Sequence, residues 1–259
     1  MSQAWVWAGA RAIGTAHQTQ GLPCQDAFVC RIWQEGAHPA VLIAALADGA
    51  GSAECAEVGA QLATSLVADM VVEQLMEGTA PDQVANVLPY AVGEARLALE
   101  LQAGHAGRVI DDYACTLLVA VLSVDGGIVG QIGDGAVVID DGDQRWHRVH
   151  WPDHGEYANT THFLTAPDAL EALQLATLDR PVRRVCLFSD GLERLVLDFR
   201  DRSAHAPFFD AIFRPIEQHA EAGHAAHISR ELEALLGSDK INCRTDDDKS
   251  LVCAALLAT

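Results

Sequence analysis

The chain has 259 residues, half of them hydrophobic, and its 36 Asp and Glu outnumber 17 Lys and Arg for a formal charge of −19. That length can build a sizeable core, and no Pro/Ser-rich linker or charge block divides it, so residues 1–259 read as a single domain. A surface this acidic disfavours nucleic acid and anionic membranes as partners.

Seven cysteines are scattered without a C-x-x-C pair, which argues against a secreted disulfide framework. No apolar run approaches the roughly 20 residues that span a bilayer. The N-terminal MSQAWVWAGARA lacks a basic region followed by a long apolar core. A cytoplasmic protein is the expectation.

In chain order, Ala4 to Ala12 alternates loosely and reads as a strand, followed by a polar loop to Gln25-Asp26. Ala27 to Trp33 and Val41 to Ala47 read as two further strands, with Gly36 and Pro39 between them. The second ends abruptly in Asp48-Gly49-Ala50-Gly51, with Ser52 placed to cap a helix. Leu62, Leu66, Met70 and the apolar residues beside them form a helical stripe that Gly78 ends. Thr79-Ala80-Pro81-Asp82 opens a second helix, which Pro89 should kink and Gly104 and Gly107 should end.

CTLLVAVLSV (115–124) and IVGQI (128–132) flank Asp125-Gly126-Gly127, a hairpin signal. With AVVID and QRWHRV they read as one antiparallel meander, in which Asp140 and Asp143 flank a turn glycine and should be solvated. Residues 150–167 read as a long polar loop and Val182 to Phe188 as a buried strand. Residues 207–237 read as broken helix, and Leu251 to Leu257 as the last strand. Strands, two helices, strands, helices and a strand make an α+β layered fold.

One device recurs along this order. Asp48, Asp134 and Asp190 each follow an apolar run and precede a glycine, and Asp246-Asp247-Asp248 precedes the final strand. A lone Asp-Gly is usually a turn. Carboxylates gathered at several strand ends would instead repel one another, by about 4 kcal/mol per pair at ~4 Å and an effective dielectric near 20. Such a cluster calls for protons or cations. Oxygen donors without His/Cys ligand spacing favour Mg²⁺ or Mn²⁺ over zinc.

The ordered set QDA (25–27), ADGAG (47–51), CT (115–116), GDGA (133–136), SDG (189–191) and DDKSL (247–251) resembles the metal-dependent protein Ser/Thr phosphatases of the protein phosphatase 2C family. GTAHQTQGLPCQDA (14–27) and GEYANTTHFLT (155–165) are similar to its compact bacterial branch. The resemblance implies two antiparallel sheets packed as a sandwich flanked by helices, and two bridged Mn²⁺ or Mg²⁺ ions with a third, weaker one. It implies hydrolysis of phosphoserine and phosphothreonine in proteins by a metal-activated water, with a phosphoprotein substrate and a cognate Ser/Thr kinase as partners.

By the same resemblance, Asp48 bridges both metals and the Gly49 carbonyl is a ligand, while Asp190 and Asp247 complete the first site. Asp134 with Asp190 matches the third site, and Asp26 matches a carboxylate that orients the water. The catalytic set is thus Asp26, Asp48, Asp190 and Asp247. Two departures stand out: Gln25 replaces the family's Glu, and Gln20-Gly21-Leu22-Pro23 lacks its phosphate-holding Arg. His17 and Gln25 are candidate phosphate contacts, with Arg11 a further one.

Two rivals are weighed. A cysteine phosphatase would need C-x5-R, but Cys30 stands where the Arg belongs after Cys24. A phosphatase fold that has lost activity, and that binds phosphoproteins or regulates a kinase, would explain Gln25 and the missing Arg. It would not explain why a self-repelling carboxylate cluster is retained.

Overall fold

The computed structural model describes residues 3–36, 38–80, 83–142, 145–151 and 161–258. Its elements in chain order are β1 (Gln3–Ala12), α1 (Thr15–Gln20), β2 (Ala27–Trp33), β3 (Val41–Ala47), α2 (Ala56–Met76), α3 (Val84–Ala106), β4 (Leu117–Ser123), β5 (Gly126–Ile132), β6 (Ala136–Asp140) and β7 (His147–Arg148). There follow β8 (Gln174–Leu178), β9 (Arg184–Phe188), α4 (Asp190–Val196), β10 (Leu197–Asp198), β11 (Ser203–Ala204), α5 (Ala206–Glu217), β12 (Gly223–His224), α6 (Ala226–Leu236), α7 (Asp239–Asn242) and β13 (Lys249–Ala258).

The strands form a five-stranded sheet, β2-β3-β4-β5-β8, and a six-stranded sheet, β12-β1-β13-β9-β6-β7. β10 and β11 pair separately. All pairings are antiparallel except β1 with β12. Side chains alternate across a strand, so a run buried at every position must be covered on both faces. β3 shows this. Leu42, Ala44 and Leu46 face the other sheet beside Trp5, Leu118, Val137, Leu187 and Val252. Val41, Ile43 and Ala45 face outward onto α2 and α3, against Val67, Val71 and Leu88. On the far side, α5 and α6 cover the six-stranded sheet through Phe209, Phe213 and Ile228. The layers are helix, sheet, sheet, helix.

Several sequence expectations change. Residues 15–20 form α1 rather than loop. Ser52 does not cap α2, whose N-cap is Cys55 without a side-chain bond. α3 runs unbroken through Pro89 to Ala106, where Gly107 at φ 67° ends it. β4–β5 and β6–β7 are not one meander. The chain leaves the five-stranded sheet after β5 and enters the other at β6. Gly133 and Gly135, at φ 85° and 84°, make that crossing on either side of Asp134. Pro81, Asp82, Asp143 and residues 152–160 lie outside the described residues.

Asp140 is not solvated: it is 1% exposed and ion-paired with Arg184. Burial of both partners fixes this pair on β6 and β9, at directly opposed positions.

Candidate active site

Strand register gathers the acidic motifs at one end of the sandwich. Ala27 pairs with Ala47, so Asp26 and Asp48 leave the sheet side by side. Phe188 pairs with both Ala136 and Leu251, which brings Asp190 to the Asp134 crossing and to the start of β13. β13 also pairs Lys249 with Ala12, just before α1.

Backbone bonds lock the Asp48 turn. The Thr116 N–H donates to the Asp48 carbonyl at 2.8 Å, and the Asp48 N–H donates to Thr116 Oγ1 at 3.0 Å. Gly49 bridges Cys115, and the Ala50 N–H donates to the Ala114 carbonyl. A Cβ on Gly49 would lie 2.8 Å from Ala56 Cβ and 2.9 Å from the Gln25 carbonyl, so no side chain fits there. The short CT motif is therefore a clamp that aims Asp48.

The final acidic cluster is divided by burial. Asp247 stays accessible at the rim, whereas Asp248 is 1% exposed. Asp248 accepts the Gly14 N–H at 2.6 Å, the Gln25 N–H at 2.6 Å and His17 Nδ1 at 2.9 Å. It thereby ties α1 and the Gln25-Asp26 step to β13. Two backbone N–H groups can only donate, so Asp248 is an acceptor and His17 Nδ1 carries the proton. That leaves Nε2 turned toward Gly51, 3.8 Å from where a Cβ there would sit. Beside them Lys249, wholly buried, donates to Asn242 Oδ1 at 2.9 Å and to the Asp247 carbonyl at 3.0 Å.

Asp26 is wholly buried, and its Oδ2 accepts Ser189 Oγ at 2.8 Å. Asp134 Oδ2 accepts Thr161 Oγ1 at 2.7 Å. The rest of the cluster is short of donors: Asp26 Oδ1, Asp190 Oδ1 and Gln25 Oε1 are buried without a partner. The consequence is electrostatic. Burial pushes the Asp26 carboxyl up to about 7. The Asp48 carboxyl rises well above its usual range, through burial first and then the charges of Asp26 and Asp190. Burial, with Asp134 and Asp247 beside it, raises Asp190. Asp247 is raised by partial desolvation of its carboxylate and by Asp248.

A group of carboxylates that resist ionisation, with unpartnered oxygens among them, fits divalent cations of the hard, oxygen-seeking kind. Among the described residues no three His, Cys, Asp or Glu side chains form a ready-made cage for an ion. The fit therefore rests on donor chemistry and the stranded oxygens.

The cysteine alternative fails on the same ground. Burial and the nearby Asp26 and Asp248 charges push the Cys24 thiol up to about 12, far from a nucleophilic thiolate. Arg31, its nearest arginine in sequence, is paired with Asp69 on α2.

Comparison with known proteins follows the same map. Residues 13–237 match the family model described as protein phosphatase 2C. The chain belongs to the protein phosphatase 2C family. It is a protein phosphatase, an enzyme of the phosphoric monoester hydrolase class. It is 36% identical to serine/threonine-protein phosphatase 3 of Escherichia coli (strain K12) over 96% of this chain and 98% of that one. Its fold is shared with the catalytic domain of the serine threonine protein phosphatase PstP, solved with two manganese ions, at a TM-score of 0.66 and 18% identity over 99% and 100% of the chains. PppA of Pseudomonas aeruginosa superposes at 0.63 with 15% identity over 98% and 100%.

Sequence reasoning passed over four residues of this phosphatase's site. Ser189 and Thr116 stood inside quoted motifs without a role, Asp248 looked like its neighbours, and Lys249 was hidden in a charge run. Both of the last two are buried, and only their partners in three dimensions tell them apart.

Proposed function

We propose that this phosphatase hydrolyses phosphoserine and phosphothreonine in proteins and depends on Mn²⁺ or Mg²⁺. One observation carries the reading: the Asp48 carboxylate faces those of Asp26, Asp190 and Asp247 in a buried setting that opposes their charge. The Ser/Thr-specific relative at 36% identity and the manganese in PstP support it.

Asp48, Asp190 and Asp247, with the Gly49 carbonyl, would hold the ions, and Asp134 with Asp190 a further, weaker one. Bound there, such ions supply charge for the phosphoryl oxygens and an acidified water as nucleophile. The chain's own groups set the geometry. Asp26, fixed by Ser189, orients the attacking water through Oδ1, its unpartnered oxygen. His17, fixed at Nδ1 by Asp248, presents Nε2 to the phosphate in place of the missing arginine. Gln25 lends a neutral amide oxygen where a carboxylate would add charge. Lys249 offsets part of the acidic field from behind, without reaching the substrate.

The test is turnover of p-nitrophenyl phosphate and of a phosphoserine peptide after exhaustive chelation, then with Mn²⁺ restored. Full turnover of the chelated, desalted enzyme would refute the metal requirement.

A further inference from the structure

β2 is an edge strand, paired to β3 on one side only. Its other side bears on the active site directly. The Asp26 carbonyl points that way, because Arg11 Nη1 donates to it at 2.7 Å. Backbone groups of alternate residues share one side of a strand, so the N–H and C=O of Phe28 point the same way. Among the described residues nothing outside the sheet pairs with them.

Alongside lies a trough of about 330 Å³, lined by Arg11, Ala27, Phe28, Val29, Gln61, Thr64 and Ser65. Sheet edges are usually protected against pairing. Beyond Val29, Arg31 reaches across to Asp69 of α2. The length along the trough, Ala27 to Val29, matches about three residues of an added strand at roughly 3.3 Å each.

We infer that this edge receives the polypeptide flanking the phosphoserine of the substrate, bound as an extended strand. The inference rests on the phosphoprotein substrate of the proposed function. Three features favour that occupant. The trough adjoins the site through Arg11, which lines it and donates to the carbonyl of Asp26, whose carboxylate lies in the catalytic cluster. The open backbone groups of Phe28 recognise any peptide backbone, which suits a substrate chosen by its phosphate. Arg11, exposed and with one nitrogen on Asp26, puts a cation beside the phosphate in a chain of formal charge −19, where anionic substrates are otherwise repelled.

The experiment compares a phosphoserine peptide with the same peptide N-methylated at single flanking positions. Binding is read by fluorescence anisotropy and turnover by phosphate release, with p-nitrophenyl phosphate as a substrate that has no flanking chain. On the wild-type enzyme, N-methylation on one side of the phosphoserine should weaken binding about tenfold, the equivalent of one or two backbone hydrogen bonds. Methylation on the other side should do little. Ser65→Trp, which fills the trough from α2, should lower peptide kcat/KM relative to that for p-nitrophenyl phosphate by a similar factor and abolish the N-methyl effect.

Equal binding of all methylated peptides to the wild type would overturn the inference, whatever the variant does. A dimer dissociated by Ser65→Trp, with peptide kinetics unmoved, would assign the edge to a second copy and overturn it too. If neither substrate turns over, the catalytic reading falls, while the anisotropy arm still decides the trough.

Discussion

Ser189 Oγ donates to Asp26 Oδ2 at 2.8 Å, joining residues from the SDG and QDA motifs that stand 163 positions apart. The same oxygen accepts the Ser250 N–H at 3.0 Å, so one hydroxyl ties three motifs together at the floor of the site. Ser189→Ala would leave a wholly buried carboxylate without that donor. The expected loss is about 1–3 kcal/mol of stability, read from the denaturation midpoint, with turnover falling as well. An unchanged midpoint would show that the Ser189 bond does not hold Asp26.

The two kinds of buried aspartate should separate in mutagenesis. Asp48→Asn is expected to remove nearly all turnover yet raise the melting temperature in chelator, because it removes one charge from a repelling cluster. Asp140→Asn should do the opposite. It breaks a buried pair with Arg184, which keeps only longer contacts to the more exposed Asp210 and Glu217. About 3 kcal/mol should be lost, with turnover preserved in the fraction that stays folded. Thermal melts beside turnover decide it, and the reverse ranking would refute the site assignment.

These two residues also mark what the sequence could and could not convey. Asp48 was legible because Val41–Ala47 is an uninterrupted apolar run, and its end is the rim of a sheet. β2 and β3 match their expected limits. Asp140 was misread because its partner lies 44 positions later on a strand paired only in three dimensions. α1 was missed because TAHQTQ has no apolar stripe. It is held instead by the Ala16 N–H on the Asp246 carbonyl and by His17 on Asp248. β8 was missed because it is an edge strand with little burial to impose a pattern. Local burial was visible, whereas pairing between distant polar residues was not.

Metal should stabilise the fold as well as support turnover. Cations that bind only the folded cluster raise stability by mass action, about 2.7 kcal/mol at a hundredfold excess over Kd. The melting temperature should therefore climb with Mn²⁺, and the climb should shrink in Asp190→Asn. A melting temperature that ignores Mn²⁺ would count against the cluster as a cation site.

His17 and Asp248 should behave as a unit. Asp248→Asn keeps one acceptor oxygen, and with that oxygen on the Gly14 N–H its NH₂ faces both the Gln25 N–H and His17 Nδ1, which releases the ring. If His17 Nε2 meets the phosphate, His17→Ala should raise KM more than it lowers kcat, and adding Asp248→Asn should cost little further. Independent, additive losses would show that Asp248 does not act through His17.

Gln25 offers the sharpest comparison, because its buried Oε1 has no partner and its N–H is fixed on Asp248. Replacing the amide by a carboxylate adds a charge beside Asp26 and Asp248 in a setting that already opposes ionisation. Without metal, Gln25→Glu should lower the melting temperature. With metal the added charge becomes an attraction, so less Mn²⁺ should be needed for half-maximal rate. The advantage of Mn²⁺ over Mg²⁺ should narrow, since Mg²⁺ gives up its waters more reluctantly and gains more from a full charge. The two effects have opposite signs in one variant, which a general loss of stability cannot imitate. Metal titrations of rate that superimpose for wild type and Gln25→Glu would show that the amide only completes the wall of the site and does not set its affinity.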